Sequence, residues 1–226
     1  GIRPRLAVRD IDVDPQDRRR LFAAAGCGGG WTSSDGGQTW AATPATGPCV
    51  GSFALNPQVT TLVYAGAYST TGGAILRSND GGVTFAPVYT APAIAGGGSQ
   101  HIYDVAVAPS MSGTVYAAGQ NVPASGDPYG VVVRSWDGGQ TWARVFTLTR
   151  GAMSVLAIDP TDYATAYVGG QDCSALPCSG FVYRTADSGQ SWQQVLARSD
   201  PVRDLAIDPQ KTDVIYASDA HTVLKS

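Results

Sequence analysis

Asp10, Asp104 and Asp204 have the type and spacing to act together, since each stands five residues ahead of a proline that recurs along the chain. Two carboxylates can hydrolyse a glycosidic bond, one as acid and one as base, across a gap of ~6.5–9.5 Å in inverting enzymes. The equivalent positions in the other two copies are Ser52 and Val155, and the residues just before are Arg9, Gly51, Tyr103, Ser154 and Arg203. A structural reading stands beside the catalytic one. Asp10 with Arg9, and Asp204 with Arg203, would be solvated surface groups that neutralise each other. Where such a cation meets the carboxylate it lowers the pKa, whereas a general acid needs it raised. Asp12 falls in the slot filled elsewhere by Ala54, Ala106, Ala157 and Ala206, which implies a half-buried carboxylate in need of a partner. Alternate residues Asp10, Asp12 and Asp14 would supply only a partial oxygen shell to a cation, so no metal site is expected.

The other candidates are suited to binding. His101 and His221 lie far apart in sequence and no Ser-His-Asp arrangement is legible. Tyr68, Tyr103 and Tyr129 fall in or beside loops, where each could stack on a sugar, anchor a protein or pack within its own loop. With Arg9, His101 and Arg203 they form the candidate ligand-binding set. Cys27, Cys49, Cys173 and Cys178 do not have zinc-ligand spacing. The short loop Cys173–Cys178 reads as a local disulfide with Cys27–Cys49 as the second, which would place the protein outside the cytoplasm; four buried free thiols are the alternative.

Two repeated strings set the elements that position these residues. One is Ser33-Ser-Asp35-Gly-Gly-Gln-Thr-Trp40. It recurs as Ser78-Asn-Asp80-Gly-Gly-Val-Thr-Phe85, Ser135-Trp-Asp137-Gly-Gly-Gln-Thr-Trp142 and Thr185-Ala-Asp187-Ser-Gly-Gln-Ser-Trp192. The other ends in Pro15, Pro57, Pro109, Pro160 and Pro209, spaced 42, 52, 51 and 49 residues apart. Between them lie strand-like runs such as Leu62-Val-Tyr-Ala-Gly66 and Thr114-Val-Tyr-Ala-Ala118. Each unit therefore reads as four short strands, A to D, with the aspartate string at the C–D turn. Four strands per repeat of about 50 residues predict a blade of a β-propeller. The aspartates and aromatics of the strings, from Asp35 and Trp40 to Asp187 and Trp192, read as structural: Asp accepts turn N–H bonds, Gly supplies positive φ, and the aromatic packs between sheets.

The Ser-x-Asp-x-Gly-x-Thr-Trp string resembles the Asp box. Four copies over most of the chain make it similar to Asp-box (BNR-type) β-propellers, which include sialidases, oligoxyloglucan-type hydrolases, sortilin-like receptors and photosystem II assembly factors. The resemblance implies boxes on the face opposite the ligand site. It also implies that sialidase activity is absent. That family's Arg-Ile-Pro motif appears here only as Ile2-Arg3-Pro4-Arg5, and its tyrosine nucleophile is paired with a glutamate, of which this chain has none. The oligoxyloglucan enzymes use two aspartates, and Val202-Arg203-Asp204-Leu205 matches one of their strand starts, but they employ two propellers flanking a cleft.

The fifth unit stops where its aspartate string would begin, and Gly1–Ala7 stands where a strand D would sit. Either a ring of five blades closes by three strands plus one, or the chain is part of a larger propeller. The longest insertions, around Tyr68–Gly73, Gln120–Gly130, Gln171–Gly180 and Thr90–Gln100, fall on the face opposite the aspartate turns, and long loops on a rigid scaffold usually carry function.

Composition agrees. Of 226 residues 28 are Gly and 14 Pro, the acids are all Asp, and lysine occurs only at 211 and 225, a balance that favours turns and strands over helices. A net charge of −3 with one basic run, Arg18–Arg20, excludes a nucleic-acid face. No apolar run approaches the ~20 residues of a membrane helix. The reading is one all-β propeller domain over residues 1–226, an extracytoplasmic binding or assembly module without cofactor whose partner is a protein or glycan. A glycoside hydrolase using Asp10, Asp104 or Asp204 is the alternative.

Overall fold

The computed structural model describes residues 7–44, 49–70, 72–94 and 96–226. The protein is an all-β, five-bladed β-propeller, with no helix among the described residues. Blade 1 is β1 (Asp10–Val13), β2 (Leu21–Ala24), β3 (Gly30–Ser33) and β4 (Ala41–Ala42). Blade 2 is β5 (Cys49–Leu55), β6 (Val63–Ser69), β7 (Gly72–Ser78) and β8 (Ala86–Thr90). Blade 3 comprises β9 (Gly98–Val107), β10 (Val115–Pro123), β11 (Tyr129–Ser135) and β12 (Ala143–Thr147). Blade 4 comprises β13 (Ala152–Ile158), β14 (Ala166–Asp172), β15 (Ser179–Thr185) and β16 (Gln193–Arg198). Blade 5 has three strands, β17 (Asp204–Asp208), β18 (Lys211–Ser218) and β19 (Val223–Lys225). Every blade is an antiparallel meander, and the first strands β1, β5, β9, β13 and β17 pack on one another in succession. The strand D proposed from Gly1–Ala7 lies, but for Ala7, outside the described residues.

The core sits between blades. Phe22, Phe53, Leu55 and Leu76 fill the seam of blades 1 and 2, with the Phe22 and Phe53 rings 5.3 Å apart. Tyr64, Ile75, Ile102 and Val133 fill the next, Tyr116, Met153, Leu156 and Phe181 the third, and Val182, Val202 and Leu205 the fourth. Strands β5, β6, β11 and β14 thus show one side to the previous blade and the other to the next, so their buried residues run continuously rather than alternating with polar ones. The turn aromatics close these seams from outside: Phe85 packs on the first, Trp142 on the second, and Trp192 stacks on Phe146 at 5.2 Å in the third.

The aspartate turns are built alike. Ser33 Oγ donates to Asp35 Oδ1 at 2.8 Å and accepts the Gly37 N–H at 2.9 Å, while Thr39 donates its N–H and hydroxyl to the same carboxylate at 2.9 and 2.6 Å. The pattern recurs at Asp80, Asp137 and Asp187. These bonds to the charged form pull the Asp35, Asp137 and Asp187 carboxylates down to about 2. In three copies a glycine follows the aspartate at positive φ; in the fourth Ser188 takes that place at φ 65°.

The turns of blades 3 and 4 also receive the blade before them. Arg77 Nη1 and the Tyr64 hydroxyl both donate to the Gly138 carbonyl, at 2.5 and 3.0 Å, and Arg134 Nη1 donates to the Ser188 carbonyl at 2.6 Å. Two disulfides, Cys27–Cys49 and Cys173–Cys178, lie at the other end of the blades. The first ties blade 1 to the opening of blade 2, where a Gly26–Val50 bridge adds a backbone link.

Candidate functional site on the loop face

Four of the six proposed binding residues meet on the loop face. His101 and Tyr103 are two apart on β9, so alternation points both the same way. Tyr68, at the end of β6, brings its ring within 5.3 Å of His101 and 5.5 Å of Tyr103. Arg9 crosses from just before β1. Gly26 lies beneath it: a Cβ there, at φ +54°, would lie 3.0 Å from Arg9 Nε and 3.5 Å from the Tyr68 hydroxyl. Arg9 is exposed and forms no ion pair among the described residues. Tyr129 and Arg203 stand apart: Tyr129 opposes Asn121 on β10, and Arg203 is exposed beside blade 5.

A polar chain threads the cluster. Ser99 Oγ lies 3.1 Å from His101 Nε2, and His101 Nδ1 lies 3.1 Å from the Tyr103 hydroxyl, which donates to Gln120 Oε1 at 3.1 Å. Gln120 Nε2 in turn donates to the Gly151 carbonyl at 3.2 Å. Tyr103 gives its one proton to Gln120, which leaves its oxygen free to accept from His101 in the tautomer that carries the proton on Nδ1. Burial lowers the His101 pKa and favours the neutral ring, while burial raises that of Tyr103, with Arg9 opposing. Ser99 and Gln120 were not singled out from the sequence. The repeat offers a signal for Gln120, which occupies the position of Tyr68 and Gln171, four residues past the strand B tyrosine. Beside Gln120 a shallow cleft continues toward blade 4, lined by Asp127, Pro128, Arg150, Gly151, Gln171 and Cys173.

The candidate catalytic aspartates lie elsewhere. Asp10 Oδ2 accepts the Phe53 N–H at 2.9 Å and Asp12 Oδ2 the Leu55 N–H at 2.7 Å, so both are fastened to the first strand of blade 2. Ser52 Oγ does the same to the Val105 N–H at 2.9 Å, and Asp104 Oδ2 to the Leu156 N–H at 2.7 Å. One repeat position thus staples each of the first three blades to the next. The expectation that Arg9 would depress the Asp10 pKa is corrected: burial raises it. Burial likewise lifts Asp12 to about 6 and Asp104 to about 7, with repulsion from Asp10 adding to both. Asp204 is exposed and accepts the N–H of its own neighbour Leu205 at 2.9 Å. Asp14 turns away to Arg20, whose Nε donates at 2.7 Å, and no group of three metal-ligating side chains occurs among the described residues.

No protein-family profile matches the chain, and no curated protein is recognisably similar to it. Solved structures do share the fold. The GH74 enzyme of Niastella koreensis superposes with a TM-score of 0.73 at 20% identity over 95% of this chain and 35% of its own. YCF48 bound to D1 peptide gives 0.62 at 14% identity, over 98% of this chain and 63% of that one. A chain of the nidogen/laminin complex gives 0.68 at 11% identity, over 98% and 76%. The chain spans about a third of the GH74 enzyme's length. Among the described residues no helix is long and apolar enough to cross a membrane, and two disulfides with no such helix are compatible with an extracellular protein. These likenesses show the β-propeller fold, which the chain shares with GH74 and YCF48 structures.

Proposed function

We propose that the protein is an extracytoplasmic binding or assembly module of the Asp-box type that recognises a protein or glycan through the loop face. The observation that carries this reading is the cluster of Arg9, Tyr68, His101 and Tyr103 on the loop face: a guanidinium with no ion pair among the described residues beside three mutually packed rings. Rings offer flat apolar area at small entropic cost and the guanidinium fixes orientation. Asp10 and Asp104, meanwhile, hold neighbouring blades together. Propellers of this fold that take protein partners, such as YCF48 with D1 peptide, lend support.

A second reading, a glycoside hydrolase, draws on the GH74 likeness and on Asp104, whose carboxyl keeps its proton up to about 7, as a general acid requires. Glycan arrays and displayed peptide libraries, screened with the parent and a Tyr68→Ser, Tyr103→Ser double variant, separate the two. A ligand held by the parent and lost in the variant is expected. Cleavage of xyloglucan oligosaccharides by the parent, abolished by Asp104→Asn with Asp204→Asn, overturns the binding reading.

A further inference from the structure

The opposite face carries an apolar surface of its own. Trp136 is 49% exposed, Val83 69%, Met111 41%, Val59 44% and Tyr163 37%. Val59, Met111 and Tyr163 belong to the turns between first and second strands of blades 2, 3 and 4, whereas Val83 and Trp136 belong to the aspartate turns of blades 2 and 3. Hydrogen bonds join these turns into one surface. Within blades, the Gly81 N–H donates to the Thr61 carbonyl at 2.8 Å and the Gly138 N–H to the Gly113 carbonyl at 2.9 Å. Between blades 2 and 3, Asn56 Nδ2 and Gln58 Nε2 donate to the Ser112 and Pro109 carbonyls, both at 3.0 Å. Arg134 bridges blades 3 and 4.

Trp136 stands where the other turns carry Ser34, Asn79 and Ala186, so the turn itself does not call for it. Its ring lies over the Arg134 guanidinium at 4.7 Å, and the Tyr116 ring lies 5.1 Å from the same group. Arg134 is buried, with Nε and Nη2 unpartnered and no carboxylate within ion-pair distance among the described residues. A buried cation whose charge is balanced mainly by ring faces holds the indole flat against the surface. The aspartate turns of blades 2 to 4 contribute Asp80, Asp137 and Asp187, kept ionised by their turn hydrogen bonds, and blade 4 adds the exposed Asp162, while the Arg20, Arg77 and Arg134 guanidiniums turn onto the Gly81, Gly138 and Ser188 carbonyls.

We infer that the aspartate-turn face of blades 2 to 4 is a second docking surface, for a protein segment that lays an apolar side chain on Trp136 and flanks it with Lys or Arg. An apolar centre with an acidic rim selects a basic partner. A second copy of this chain would set the same carboxylates against one another.

The probe is a fluorescent amphipathic Leu/Lys peptide, compared with a Leu/Glu peptide of the same pattern and a Ser/Lys peptide, followed by anisotropy. The Leu/Lys peptide is expected to bind, and Trp136→Ser to weaken it by about ten-fold or more, as for a central aromatic anchor. Val83→Ser, at a solvent-facing position that does not endanger folding, weakens it less. The Tyr68→Ser, Tyr103→Ser variant keeps full affinity, which separates this face from the loop face. Equal binding by Trp136→Ser, equal binding of the Leu/Glu peptide, or no binding of any peptide overturns the inference. So does self-association of the parent that Trp136→Ser removes, which would assign the face to a second copy.

Discussion

The aspartates at the two ends of the blades are the same residue in opposite circumstances. At the turns, Asp35, Asp80, Asp137 and Asp187 each collect hydroxyl and N–H donors from within their own turn, and the carboxylate is favoured. At the seams, Asp12 and Asp104 are packed against a neighbouring blade with fewer donors, and burial favours the acid. The number of donors supplied against the solvent removed decides the sign, not the residue type.

The largest expected effect is at the seam. Asp104→Ala leaves the Leu156 N–H without its acceptor and should cost about 1–3 kcal/mol in denaturant unfolding. Asp104→Asn keeps an acceptor oxygen and removes the buried charge, so it should match or exceed the parent at pH 8. The pH dependence follows. Asp12 and Asp104 have folded-state pKa values above the unfolded one, so the folded protein binds more protons from pH 4 to about 7 and loses stability as pH rises through that window. The turn aspartates have depressed values, so their contribution is present above pH 4 and lost as pH falls toward 2. The aspartates' combined contribution therefore peaks near pH 4–5, with the lowered His101 pKa opposing its alkaline decline, and Asp104→Asn flattens that alkaline side alone. An unchanged alkaline slope in that variant breaks the comparison.

A smaller effect is expected at a turn. Ser135 is buried and its Oγ both accepts the Gly139 N–H at 2.8 Å and donates to Asp137. Ser135→Ala should cost about 1 kcal/mol and steepen nothing above pH 4, since its partner titrates below. The smallest effect sharpens the rule. Asp204 shares its repeat position with Asp10 and Asp104 but is exposed and bonded to its own neighbour, so Asp204→Asn should stay within about 0.5 kcal/mol of the parent in the same unfolding assay.

Much of this was legible without coordinates. The recurrence of Ser-x-Asp-x-Gly-x-Thr-Trp fixed the turns, because the hydrogen bonds of its Ser, Asp and Thr side chains close within five residues. The need of Asp12 for a partner was legible too, from the alanines at its position in other copies. The partner was not, since Leu55 lies 43 residues away. Ser99 belongs to no motif and Gln120 carries only its repeat position, so their place beside His101 and Tyr103 emerges from the fold.

The sequence by itself determined the strands, the turn chemistry, the repeat and which loops share a face, since period, glycine placement and local donors act over a few residues. Tertiary structure alone decided that Asp10 and Asp104 clasp the next blade, that Arg9 and Tyr68 converge over Gly26, and that Trp136 lies on a buried Arg134. Those outcomes depend on how one blade is rotated against the next, and that rotation is set by side-chain packing between residues some 40 to 50 positions apart.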